Sequence, residues 1–262
     1  MQTEAQTNNS ATSYIRSDGA STVTTKTDVL LIYPQLGSFD DVIRDVPLSV
    51  LYAAADSVKN GYRVKIIDLR VCKENWKQEI AHTLDQGCHL VGISVMTGLP
   101  IKRGVEISKF IKANYDLPVV WGGPHCTLTG EQTLEHEAID YIVRGWGSEP
   151  LCQLIRYLKD GKGELSEIPG LGYKKDGNPI LNPFPDKQEV LDFRDIPYDL
   201  IDINAEAYCR TGNKRELIFP IFSSVGCPYA CTFCITPAVS KMIKGKKWVP
   251  FEIEQVLLHM EY

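Results

Sequence analysis

No stretch of the chain approaches the ~20 consecutive apolar residues that a membrane-crossing helix requires, so the sequence predicts no membrane span. Nor is there a surplus of positive charge. Lys and Arg number 28 against 33 Asp and Glu, and a net charge of −5 repels nucleic acid rather than gathering it. Cysteine is scarce for a disulfide scaffold, eight in 262 residues, and the first 27 residues hold no apolar segment of the signal-peptide kind. A reducing, cytoplasmic setting is the expectation. Neither G-x-G-x-x-G nor a Walker sequence occurs, which disfavours nicotinamide dinucleotides and nucleoside triphosphates as ligands. There is no internal repeat. What remains is ordinary globular material, 44% hydrophobic and 23% charged, enough for one to two domains.

Residues 1–27 are rich in Ser, Thr, Asn and Gln and read as a disordered tail, because they cannot bury enough apolar surface to offset the entropy of ordering. From Asp28 short apolar runs alternate with segments of helical period. The runs are Val29–Tyr33, Arg63–Leu69, Leu90–Met96, Pro118–Trp121 and Tyr141–Arg144. The helical segments are Leu48–Asn60, Trp76–Gln86, Ile101–Asn114 and Pro150–Lys159, three of them closed by Gly61, Gly87 and Gly161. This predicts an α/β domain over 28–165, a doubly wound five-stranded parallel sheet of the Rossmann or flavodoxin kind. Residues 166–215 hold a hairpin about Asp176-Gly177 and then a proline-bearing linker. A strand over Leu217–Phe222 opens a second domain, 216–262, which ends in a helix over Phe251–Tyr262.

Three of the eight cysteines fall within eight residues, Cys227-Pro-Tyr-Ala-Cys231-Thr-Phe-Cys234, at the carboxyl end of that last strand. Three thiolates on one short loop can hold three corners of a cubane iron-sulfur cluster and leave its fourth iron open to an outside ligand. Structural zinc prefers four ligands in paired C-x2-C units, and the nearest later histidine, His259, stands at the far end of the final helix. Inert thiols crowded by chance are the bland alternative.

A doubly wound sheet binds ligands beyond the carboxyl ends of its strands, near the point where the strand order reverses. The loops there are Pro34-Gln35-Leu36-Gly37, Ser94-Val95-Met96-Thr97-Gly98, Gly122-Gly123-Pro124-His125 and Gly145-Trp146-Gly147-Ser148-Glu149. Glycine and small hydroxyl side chains permit close backbone approach to a large polar ligand, although glycine after a strand is also ordinary turn chemistry.

The cysteine loop, with Phe233 as its C-x-aromatic-C residue and Gly226-Cys227-Pro228 as its entry, resembles the cluster loop of the radical S-adenosylmethionine superfamily. Placed before it, the domain over 28–165 resembles the cobalamin-binding domain of the cobalamin-dependent radical enzymes. That likeness rests on Pro47-Leu48-Ser49-Val50-Leu51-Tyr52-Ala53-Ala54, Gly61-Tyr62-Arg63-Val64, Asp68, Gly122-Gly123-Pro124-His125 and Asp140-Tyr141-Ile142-Val143-Arg144-Gly145 leading to Glu149. The resemblance implies that Cys227, Cys231 and Cys234 ligate a 4Fe-4S cluster whose open iron takes S-adenosylmethionine, with Phe233 near the adenine. It implies cobalamin contacts for Ser94, Thr97, Gly122, Gly123, Pro124, Gly145 and Glu149. Trp146 stands where the family commonly shows Glu, and Ser148 where Gly is usual. The D-x-H-x-x-G sequence that supplies a histidine to cobalt in other cobalamin proteins is absent, so the cofactor is expected without that lower ligand. His125 reads as a turn histidine, Cys126 as a small core residue, and Lys241, Lys244, Lys246 and Lys247 as a solvated face.

The activity so implied is reductive cleavage of S-adenosylmethionine, in a methyltransferase or a radical cyclase or rearrangement enzyme, acting on a small molecule and fed by a flavodoxin- or ferredoxin-type electron donor. The residues that would touch substrate are not written in the sequence. The alternatives are a cobalamin or iron-sulfur module that never cleaves S-adenosylmethionine, and a cobalamin-free radical enzyme. A full eight-strand barrel takes about 250 residues, and only Leu217–Tyr262 follows the linker. By that arithmetic the chain is expected to be the front portion of a longer enzyme.

Overall fold

The computed structural model describes residues 27–41, 45–72, 74–185, 192–202, 206–210, 216–217, 219–243 and 247–261. The predicted disordered tail therefore lies outside the described residues apart from Thr27, which is buried. Five strands alternate with helices as the periodicity requires. They are β1 (Val29–Tyr33), β2 (Val64–Asp68), β3 (Leu90–Ser94), β4 (Val119–Gly122) and β5 (Tyr141–Val143), with α1 (Leu48–Lys59), α2 (Trp76–Leu84), α3 (Leu99–Asn114) and α6 (Ser148–Asp160) among the connections. Two short helices absent from the sequence expectation, α4 (Pro124–Leu128) and α5 (Gly130–Leu134), join β4 to β5. Neither is long enough to show a period of its own.

The five strands pair in parallel in the order β2-β1-β3-β4-β5. The sheet does not stop at five, however. β6 (Leu171–Lys175) and β7 (Asn178–Leu181) form the hairpin predicted about Asp176-Gly177, and β6 then pairs antiparallel with β5, giving a seven-stranded mixed sheet. The turn places both Asp176 (φ 50°) and Gly177 (φ 79°) at positive φ. Asp and Gly tolerate this conformation, and its twist suits a two-residue hairpin. Pairing with β5 satisfies backbone groups that an edge strand would expose, which is why the hairpin becomes part of the sheet.

Successive residues of β1 divide the core. Val29 and Leu31 face α1 and α6, while Leu30 and Ile32 face α2 and α3, and all four are buried. Both faces are thus covered, as a parallel sheet demands. Three residues of the linker, Ile196, Tyr198 and Tyr208, belong to the α1/α6 side of the core. The Tyr208 hydroxyl donates to Asp68 Oδ2 (3.3 Å), and the same carboxylate holds Arg70 through Nη2 at 2.7 Å.

The second unit departs from expectation. Among the described residues, strand structure at the predicted Leu217–Phe222 is found at Glu216–Leu217 (β9), paired antiparallel with Cys209–Arg210 (β8), and residues 219–223 are not strand. The strand that enters the cysteine loop is β10 (Ser224–Gly226), and it is not left unpaired. It joins antiparallel to β11 (Trp248–Pro250), across the intervening helix α7 (Thr236–Met242). Pro220 supplies the reason, since it lacks the N–H that a continuous ladder would use. The last helix, α8 (Ile253–Glu261), matches the prediction to within its ends. It is fastened by His259, which is buried, stacks on Phe193 at 5.2 Å and lies 2.6 Å from the Tyr198 hydroxyl through Nε2.

Asp28, with a fully buried carboxylate, receives the Arg63 backbone N–H at 2.8 Å and the Lys159 ammonium at 3.0 Å. Burial pushes its carboxyl up, but the bonds from Arg63 and Lys159 outweigh that and hold it below the usual range. Asp28→Asn is expected to cost about 1.5–3 kcal/mol in denaturant unfolding at neutral pH, the range for hydrogen bonds to a charged group. Because the folded-state value is depressed, this difference is fully present above the ordinary carboxylate range and disappears as pH falls through the folded value. Unfolding curves of both proteins across acid pH check it.

Candidate functional site

The strand order reverses at β1, whose chain leaves for β2 on one side while β3 lies on the other. Beyond the carboxyl ends of these strands lies a cavity of about 530 Å³. Its floor is the sheet domain, with Ser94, Gly122, Gly123, Pro124, Gly145 and Glu149 in the wall. Of the seven residues singled out for cobalamin contact, these six converge. The seventh, Thr97, does not line the cavity. It is exposed, and its hydroxyl stands 3.5 Å from His125 Nδ1.

The opposite wall comes from the second unit: Ile235, Thr236 and Val239 at α7, together with Phe222, Lys247 and Phe251. Sequence reasoning missed these residues, because nothing in their spacing says which surface they face. Lys247 belongs to the run read as a solvated face. It is exposed, yet it borders the cavity, while Lys244 and Lys246 lie outside the described residues. Trp146 also lines the cavity. Its neighbour Ser148 has a plain structural task, with its buried hydroxyl accepting the Asp56 backbone N–H at 2.9 Å and tying α6 to α1.

The polar groups of the wall are mostly engaged. Ser49 and Ser94 hydroxyls lie 3.4 Å apart. Thr127 donates to the Gly123 carbonyl (3.0 Å) and accepts the Gly145 N–H (2.9 Å), so one hydroxyl fixes two of the glycine loops. The Glu149 carboxylate accepts from Gln153 at 2.7 Å. Glu149 and Lys247 are the acidic and basic residues among those lining the cavity. A mostly apolar wall with so little charge suits a large, neutral, amide-bearing ring system better than a polyphosphate. His125 is half-buried beside the cavity, and burial lowers its pKa, which favours the neutral imidazole. Cys126 is fully buried, and burial pushes its thiol up to about 12.

The cysteine loop adjoins this wall: none of its three cysteines lines the cavity, but Gly226 just before it and Ile235 and Thr236 just after it do. Cys227 and Cys234 are half-buried and Cys231 is exposed, all three as free thiols. The Cys234 thiol lies 3.5 Å from the Thr236 hydroxyl, which, with nearby backbone N–H groups, holds its pKa below the ordinary thiol value. Among the described residues no three His, Cys, Asp or Glu side chains are drawn together closely enough to hold a metal ion. The donor set still suits a cluster by its chemistry: three unpaired thiols on one accessible loop. His259, the rival zinc ligand, has its Nε2 engaged by Tyr198. Phe233 is 92% exposed and stands outside the cavity. No described helix is long and apolar enough to cross a membrane.

Residues 43–155 match the family model of the B12-binding domain. Over these residues the flavodoxin-like sheet domain is therefore similar to a B12-binding domain. The chain's fold as a whole is shared with cobalamin-dependent radical S-adenosylmethionine enzymes. One similar structure is the radical S-adenosylmethionine methyltransferase TsrM from Kitasatospora setae, with cobalamin and a [4Fe-4S] cluster bound (21% identity, TM-score 0.65). Another is the cobalamin-dependent S-adenosylmethionine radical enzyme OxsB, with aqua-cobalamin and S-adenosylmethionine bound (22% identity, TM-score 0.67). The alignments cover 89% and 91% of this chain but only 45% and 31% of those chains. No curated protein sequence matches the chain.

Backbone geometry shapes the cavity wall at its glycine loops. At Gly123 the backbone has φ 107°, and an added Cβ would stand 2.8 Å from the Val95 carbonyl oxygen. Only glycine allows the loop after β4 to lie this close to the loop after β3. Gly123→Ala is expected to lower stability by about 1–3 kcal/mol and to weaken cobalamin binding in the same protein. Thermal unfolding and equilibrium dialysis measure the two effects, and an unchanged affinity would show that this loop does not shape the ligand site.

Proposed function

We propose that this chain is the cobalamin-binding and cluster-loop portion of a cobalamin-dependent radical S-adenosylmethionine enzyme, a methyltransferase. The observation that carries the reading is the juxtaposition of the cavity and the cysteine loop. Residues of α7, which begins two residues after Cys234, form the wall opposite the strand ends of the B12-binding domain. A cofactor seated on the strand ends would therefore face the segment that follows the cluster loop.

In this reading Ser94, Gly122, Gly123, Pro124, Gly145 and Glu149 bind the corrin and its tail, with Thr97 at the margin. Cys227, Cys231 and Cys234 would hold a 4Fe-4S cluster, and Phe233 would lie near the adenine of S-adenosylmethionine. Bound together, the cofactors supply a carbon-centred radical from S-adenosylmethionine and a methyl group on cobalt. The chain's own contribution is to bind them side by side and to keep water from the space between, through the apolar wall of Val239, Ile235 and Phe251. The sequence holds no D-x-H-x-x-G, and in this reading the cobalamin would bind with its dimethylbenzimidazole off cobalt and no protein imidazole in its place. A small-molecule substrate, an electron donor of the flavodoxin or ferredoxin type and a cytoplasmic setting complete the proposal.

A second reading, a cobalamin module that never cleaves S-adenosylmethionine, is favoured by one observation: the three cysteines are not gathered among the described residues. Anaerobic reconstitution separates the two. The expected outcome is about four irons per chain, broad visible absorbance abolished in Cys231→Ala, and hydroxocobalamin bound with its dimethylbenzimidazole off cobalt. Cobalamin uptake without iron uptake would leave only the second reading, and a base-on spectrum would refute the proposed lower face. Bound cobalamin is also expected to quench tryptophan fluorescence through Trp146, which lines the cavity, whereas Trp121 is buried in the sheet core. The quenching should be smaller in Trp146→Phe at equal occupancy.

A further inference from the structure

Tyr52 lies on α1, is 7% exposed, and forms part of the cavity wall. Its ring packs against Phe222 at 5.4 Å with a 57° tilt, and its other neighbours belong to the apolar core between the sheet, α1 and α6. Its hydroxyl is sealed from solvent and has no hydrogen-bond partner among the described residues. Burial alone pushes the phenol up to about 12, with no charged group contributing, so at neutral pH it is a neutral O–H surrounded by apolar atoms.

Such a group is costly. A buried donor without an acceptor forfeits the hydrogen bonds it had in water, and phenylalanine would fill the same space without the loss. The other side-chain hydroxyls discussed in the wall, those of Ser49, Ser94, Thr127 and Ser148, lie within hydrogen-bonding distance of partners within the protein. Tyr52 also stands out by position. Its cover, Phe222, is 44% exposed and sits in residues 219–223, which form neither helix nor strand. A half-exposed ring on an irregular segment is free to rotate without disturbing the sheet.

We propose that Tyr52 is a positioning residue for the cobalamin, donating its hydroxyl hydrogen to a carbonyl oxygen of one of the amide side chains on the corrin rim, with Phe222 as the ring that yields when the cofactor enters. An amide carbonyl is the fitting acceptor. It is neutral, so it adds no unpaired charge to an apolar wall, and it is present in several copies around a corrin. The inference rests on the cobalamin reading and deepens it.

The test compares the full chain with Tyr52→Phe, using hydroxocobalamin as the probe in equilibrium dialysis and thermal unfolding of the cofactor-free proteins. The expected result has opposite signs: Tyr52→Phe binds hydroxocobalamin about five- to tenfold more weakly, the worth of one hydrogen bond, while its cofactor-free form is as stable as the wild type or more so. Equal affinity in both proteins overturns the role of Tyr52 and leaves the cobalamin reading standing. Loss of both affinity and stability assigns Tyr52 to packing and also overturns it. If the wild-type chain itself takes up no hydroxocobalamin, the cobalamin reading fails and this inference with it.

Discussion

The site depends on a single constraint in the sheet: β1 lies between β2 and β3, so the strand order reverses there. Chains leaving adjacent parallel strands in opposite directions cannot cover the space beyond their carboxyl ends, and a cleft opens there of geometric necessity. Everything else adapts to that cleft. The glycine loops after β4 and β5 keep its floor low, and Thr127 ties the two together through one hydroxyl. The second unit then closes it, placing α7 and Phe251 opposite the floor.

What holds that second wall in place is the linker. Its described residues are not a passive tether, because Ile196, Tyr198 and Tyr208 are buried in the same core as α1 and α6. Tyr208 reaches the Asp68–Arg70 pair at the end of β2, where the guanidinium also lies over the Tyr33 ring at 4.4 Å. Tyr198 in turn grips His259 of α8. A chain of contacts therefore runs from the carboxyl end of β2 through the linker to the last helix, which fixes the two cavity walls relative to each other. The buried ion pair gives this path its direction, since Asp68 can satisfy both Arg70 and the Tyr208 hydroxyl only when the linker lies against the sheet.

The cavity and the cysteine loop differ in how far the polypeptide prepares them. Backbone geometry and core packing build the cavity, as the close approach of the loops after β3 and β4 shows. The cysteine loop offers three free thiols that are not drawn together among the described residues. Side chains on a short exposed loop gain little by converging unless a bound ion offsets the loss of freedom and the crowding of thiolates.

The amino-acid sequence by itself determined the five parallel strands, their helices and the hairpin, because each is announced locally: apolar runs, helical period, a closing glycine, the Asp-Gly turn. It also placed three thiols within eight residues of one another. Tertiary structure decided the rest. It turned the hairpin into strands six and seven of one sheet, because the edge of β5 needed a partner. It set the strand entering the cysteine loop at Ser224–Gly226, beyond Pro220, where it pairs with β11. It put six predicted contact residues in one wall and left Thr97 outside, and it gave Tyr52, Trp146 and Phe222 their place in the cavity. Those outcomes depend on which surfaces meet across some hundred or more residues of chain, and no local pattern encodes a meeting between two surfaces that are each, by themselves, merely apolar.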